Sequence, residues 1–159
     1  MEQISVITAL AIFSLILLST NRTILDSNSI VITGETRVAA TSFSQQIIDE
    51  ISALSFDETT TNGGAISTAA DLTPAGILGK EGGEVTEDDV DDYDGLIRTR
   101  TSSRIGTLTA EISVSYADTL SPAQPSSSAT YLKRVSIKVH NTQLMTDTLY
   151  FSHLYSHHR

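Results

Sequence analysis

MEQISVITALAIFSLILLSTNRTILDSNSIVITGETRVAATSFSQQIIDEISAL, residues 1–54, is the stretch on which the reading of this chain turns. Met1 to Leu18 is almost uncharged and apolar, and it runs without a break into a pattern of helical period that reaches Leu54. From Ile4 to Leu18 only Ser5, Thr8 and Ser14 interrupt a succession of Ile, Val, Leu, Ala and Phe. Extended to Thr20, such a run is about 30 Å long as a helix, enough to cross a hydrocarbon core. The first charge beyond it is Arg22. A cleavable secretory signal needs a basic segment before the apolar one and small residues after it. Neither is present; the run reads either as the start of a chain from which a short basic leader has been removed or as an ordinary membrane anchor.

Below the apolar run, Ile24, Val31 and Val38 step by seven, with Leu25, Ile32 and Ala39 alongside. Phe43, Ile47, Ile51 and Leu54 then step by four, four and three. Asp26, Thr33, Arg37, Ser44, Gln45, Asp49 and Glu50 fall between them, so the segment reads as an amphipathic helix. No proline interrupts it. Gly34 weakens it by about 1 kcal/mol relative to alanine, and kinking is expected there or in the polar stretch from Ser19 to Ser29. The part from Phe43 onward is expected to pack on its own domain. The upper part cannot, because a rod of about 50 residues is about 75 Å long. A body of about 100 residues has a radius of gyration of only about 13 Å. The uncovered apolar surface requires other chains or lipid.

The chain has 159 residues, a net charge of −9 and no cysteine. It therefore has room for one small core besides the rod. A nucleic-acid partner is not expected, since phosphate binding needs a basic surface. Disulfides and thiolate metal sites are excluded. We divide the chain into a helix over 1–55 (1–20 spanning the membrane or filling a filament core, 21–55 amphipathic), an irregular acidic connection over 56–106, and a β-sheet body over 107–159. The connection holds a dense acidic run, Glu81, Glu84, Glu87, Asp88, Asp89, Asp91, Asp92 and Asp94. Its spacing does not fit an EF-hand loop. It reads either as a solvated face or as a calcium site drawing oxygen ligands from Asp88, Asp89, Asp91, Asp92 and Asp94; calcium is the one cofactor the sequence suggests.

In the last third, Leu108, Ala110, Ile112, Val114 and Tyr116 alternate with polar residues. Val135, Ile137 and Val139 do the same against Arg134, Ser136, Lys138 and His140, and a third strand is expected over Met145 to Leu154. Short connections make these an antiparallel meander with one wet face, and the amphipathic rod is the natural cover for the other. His140 and His153 could meet across neighbouring strands, while His157 and His158 are expected to extend free. No nucleophile elbow, Walker spacing or zinc-type ligand set occurs, and we do not expect an enzyme.

Several of these segments together resemble type IV pilins and pseudopilins, in particular the minor pilins of mannose-sensitive haemagglutinin-type pili. They are the long N-terminal helix ending in SQQIIDEISALSFDE (Ser44–Glu58), VDDYDGL (Val90–Leu96), the strand closing on Val114 to Tyr116, and YLKRVSIKV (Tyr131–Val139) before a terminal strand. The resemblance implies an α+β ladle, with a long N-terminal helix packed on a small antiparallel sheet. It also implies a prepilin peptidase and an inner-membrane pilus assembly machinery as partners, lipid before assembly, and a homo-oligomeric helical filament at the cell surface afterwards. In that family a glutamate at the fifth mature position neutralises a neighbour's terminal amine. Ser5 stands there in this chain, so either Glu2 takes over the pairing with the Met1 amine or that amine stays near solvent. The expected filament-core contacts are Ile4, Val6, Ile7, Leu10, Ile12, Phe13, Leu15, Ile16 and Leu17. Even partial burial of nine such side chains, at ~25 cal/mol per Å², gives on the order of 10 kcal/mol per subunit before ordering costs.

Overall fold

A computed structural model describes residues 2–61, 63–83, 85–145 and 147–157. Helix α1 spans Glu2–Ser52 and is continuous through Ser19–Ser29 and Gly34, so the expected weak points do not interrupt it. Thr20, Thr23, Thr36 and Thr41 each donate to the carbonyl four residues back, at 2.8 to 3.0 Å, instead of competing for backbone groups elsewhere. At its lower end α1 tightens, the amides of Ala53 and Leu54 donating to the carbonyls of Glu50 and Ile51. A single further turn, α2 (Glu58–Thr61), follows, capped by the Asp57 carboxylate on the Thr59 amide.

The body is one antiparallel sheet of four strands in sequential order: β1 (Ile97–Ser102), β2 (Gly106–Tyr116), β3 (Leu132–His140) and β4 (Leu149–Ser156). The long helix packed on this sheet is the expected α+β ladle. The alternation in β2 and β3 is realised: Leu108, Ala110, Ile112, Val114 and Tyr116 are buried, as are Val135, Ile137 and Val139. In register, Ile112 opposes Ile137, which opposes Phe151. The terminal strand begins at Leu149, four residues later than expected, and turns Leu149 and Phe151 towards the helix.

Strand β1 lies inside the segment read as irregular. Its core-side positions, Arg98 and Arg100 opposite Ala110 and Leu108, are charged, so it has no apolar face to announce it. It joins β2 in a tight hairpin at Gly106, whose φ of +72° suits glycine.

Helix α1 meets the sheet through Ala40, Phe43, Ile47, Ile48 and Ile51, all buried with the apolar residues of β2 and β3. Thr36, Ala40 and Ser44, spaced by one turn, are fully buried and small, which lets the helix lie close. Ser44, expected on the polar face, is therefore a core residue; its hydroxyl donates to the Ala40 carbonyl at 3.0 Å. The Tyr155 hydroxyl donates to the Ile48 carbonyl, and the Tyr93 hydroxyl to Glu50, both fastening the lower rod to the body.

Candidate assembly interface and the buried ionic node

Two features stand apart from ordinary packing: the upper half of α1, and a charged cluster where the rod meets the connection. The rod leaves the body at about Ile32. Every residue from Gln3 to Val31 is exposed. Two ion pairs mark the exit: Glu35 with Arg104 of the β1–β2 hairpin at 2.9 Å, and Arg37 with Asp147 of the β3–β4 connection at 3.2 Å.

Above that exit lie all nine side chains expected to build a filament core. Ile4, Val6, Ile7, Leu10, Ile12, Phe13, Leu15, Ile16 and Leu17 are 53% to 71% exposed, and their positions surround the helix. Leu18, Ile24, Leu25, Ile30 and Val31 extend the exposed apolar surface downward. A helix that is apolar all round belongs in a core or a membrane. The helix is long and apolar enough to cross a membrane, with a mean hydropathy of 2.0 over its best 18 residues. The hydroxyls within the run do not oppose this, since Thr8 and Ser14 donate to the carbonyls of Ile4 and Leu10. With donors satisfied inside the helix, the run can leave water without stranding them. The proposed charge pair at the tip is not placed: Met1 and the Glu2 side chain lie outside the described residues.

The second feature centres on Lys133. Its ammonium is fully buried and donates to the Phe56 carbonyl at 2.7 Å, to Asp57 at 3.0 Å and to Asp91. The rings of Phe56 and Tyr116 flank it, with centroids at 4.8 and 5.4 Å. Asp57 also accepts from the Thr73 amide and from the Tyr116 hydroxyl. Burial pushes the Asp57 carboxyl up, but the Lys133 charge and the amides of Thr73 and Thr59 overcome it and hold the group below the ordinary carboxylate range.

The acidic run supplies the rest of the node, and it is not a solvated face throughout: Asp89, Asp91 and Asp92 are buried. Asp92 accepts from the amides of Asp88 and Asp89, and Asp89 accepts from the amide of Asp92. Asp94 accepts from the Val114 amide at 2.8 Å, pinning the connection to β2. Asp88, Asp89, Asp91 and Asp92 each also enclose one carboxylate oxygen without a hydrogen-bond partner. Burial first, and the Asp91 charge second, push the Asp89 carboxyl up to about 8, which favours its protonated form. Among the described residues, no group of three or more aspartate, glutamate, histidine or cysteine side chains could hold a metal ion. The position between Asp57 and Asp91 is taken by the lysine ammonium.

The sequence reading passed over Lys133, although a signal for it exists: it shares the parity of Val135, Ile137 and Val139, which puts a lysine on the core face. The histidines also resolve differently from expectation. His140 and His153 lie on opposite faces of the sheet, since Val135, five residues before His140, is the partner of His153. His157 does not extend free; its ring packs 5.5 Å from that of Phe56 and stacks on Tyr131 at 6.1 Å. His158 lies outside the described residues. No family model, no curated protein and no solved structure matches this chain.

Proposed function

We propose that this chain is the structural subunit of a helical surface filament, built in the manner of a type IV pilin, with its apolar rods bundled at the filament centre. The observation that carries this reading is the upper half of α1, where nine large apolar side chains stand exposed on all sides of a helix that its own body does not reach. Such a surface is stable only in lipid or among similar rods. A subunit that waits in the inner membrane and then leaves it among sister rods meets both conditions. The acidic body, at the outside of the fibre, keeps the assembly soluble. A rarer position in the same fibre, at its tip or at its initiation, is distinguished by the abundance of the chain along isolated filaments.

A second reading is a membrane-anchored surface domain that never polymerises; the length and apolarity of the helix favour it equally. Electron microscopy of material sheared from cells, with mass spectrometry of any fibres, separates the two. Filaments containing this chain are expected from the natural protein and not from Leu10→Glu, since one acid at mid-run costs about 3 kcal/mol in an apolar surrounding. The melting temperature of the body in detergent should be unchanged, because Leu10 touches none of it. Fibres of normal yield from Leu10→Glu overturn the reading. Detergent-bound single particles from the natural chain under every condition establish the anchored domain instead.

A further inference from the structure

The free half of the rod, residues 3 to 31, carries only two charged side chains, Arg22 and Asp26. Both are exposed, and among the described residues neither has an ion pair or a side-chain hydrogen bond. The nearest charges on the rod below them, Glu35 and Arg37, are already engaged by Arg104 and Asp147 of the body. Arg22 and Asp26 line one shallow notch with Leu15, Leu18, Ser19 and Thr23, so both charges stand on the same face, directly below the apolar run. Within one helix this pair is poorly arranged, because a basic residue four positions before an acidic one is the weaker order.

We propose that Arg22 of one rod pairs with Asp26 of a neighbouring copy, and that this contact sets the axial stagger of rods in the assembly. The inference rests on the filament reading above. Copies inserted into a membrane from the same side lie parallel. Two parallel rods set level bring Arg22 against Arg22 and Asp26 against Asp26, both repulsive. A shift of four residues, about 6 Å along the axis, brings the arginine of one against the aspartate of the next. The same shift repeats from copy to copy, each chain's arginine meeting the aspartate of a copy displaced one way along the axis and its aspartate meeting the arginine of a copy displaced the other way. One charge of each sign is thus self-complementary only in a staggered array. Neither charge needs to be buried alone in a bundle that otherwise excludes water.

The test uses two full-length chains carrying distinguishable C-terminal tags, one Arg22→Glu and one Asp26→Lys. The first has two acids in the notch and the second two bases. Expressed singly, each should give about ten-fold fewer sheared fibres than the natural chain, or less, through like-charge repulsion between rods. Membrane content and body melting temperature should be unaffected, which separates an assembly defect from misfolding. Expressed together, the two should restore fibres, with both tags in the same filament. Normal fibre yield from either single variant overturns the proposal. So does a mixture that stays unassembled, and recovery only in the double exchange Arg22→Asp with Asp26→Arg on one chain then assigns the pair to a single helix. Absence of fibres from the natural chain itself removes the filament reading rather than the stagger alone.

Discussion

One helix holds two regions that the rest of the molecule treats in opposite ways. Residues 32–52 present a stripe, Ala40, Phe43, Ile47, Ile48 and Ile51, to the sheet and turn Gln45, Gln46 and Asp49 to solvent. Residues 3–31 present apolar side chains in every direction, and every one of them is exposed. The lower half buries its stripe against the sheet and leaves Val38 outside it. The upper half has a surface that no arrangement of this chain alone can cover, because a four-stranded sheet reaches only a few turns of a rod about 75 Å long. Apolarity distributed as a stripe is a folding signal. Distributed around the whole circumference, it is an assembly or membrane signal.

The most decisive way to break this contrast is the Leu10→Glu substitution, which should abolish fibres and leave the body intact. Next in size is Lys133→Met. It leaves Asp57 and Asp91 buried without their cation and should cost about 3–5 kcal/mol of body stability, read by chemical denaturation in detergent. A loss below about 1 kcal/mol would show that the node is not a structural strut.

The lower half of the rod can be tested against itself. Ile47 is 2% exposed and Val38 is 70% exposed. Ile47→Ala should cost about 2–5 kcal/mol by opening a cavity, while Val38→Ala should stay within about 0.5 kcal/mol. Equal effects would mean that the helix does not sit on the sheet as described.

The last test concerns pH. The folded chain keeps a proton on Asp89 up to about 8, whereas the unfolded carboxyl releases it near 3.8. Between those values folding takes up a proton, so this group makes stability fall as pH rises through the window. Asp57 acts in the opposite sense. Its carboxyl is held below the ordinary range, so its contribution is present above about 3.8 and is lost as pH falls through its folded value. Asp89→Asn keeps the acceptor for the Asp92 amide and cannot ionise. Its melting temperature should therefore gain on that of the natural chain as pH rises from about 4 to about 8. A constant difference across that range would mean that Asp89 is ionised in the folded protein.

Periodicity made α1 and the faces of β2 and β3 legible, because each is a local pattern whose repeat matches its own geometry. Strand β1 was hidden, since arginines occupy the positions where an apolar face would be read. Ser44 was assigned to the wrong side for a related reason: a small hydroxyl that donates to its own helix carries no penalty for burial, and polarity alone then misleads. The acidic run reads as one feature, a solvated face or a calcium site, yet its members divide among acceptors for backbone amides, a partner for Lys133 and a carboxyl raised by burial.

By itself, then, the sequence determined that a single helix would be half stripe and half fully apolar, that alternating strands would form an antiparallel sheet, and that the body could not cover the rod. Only the tertiary structure decided that Asp57, Asp91 and Lys133, separated by 34 and 42 positions along the chain, close one buried ionic node. The physical reason lies in range. Helical and strand periods are imposed by neighbours a few residues away, whereas the partner of a buried charge is chosen by how distant segments pack.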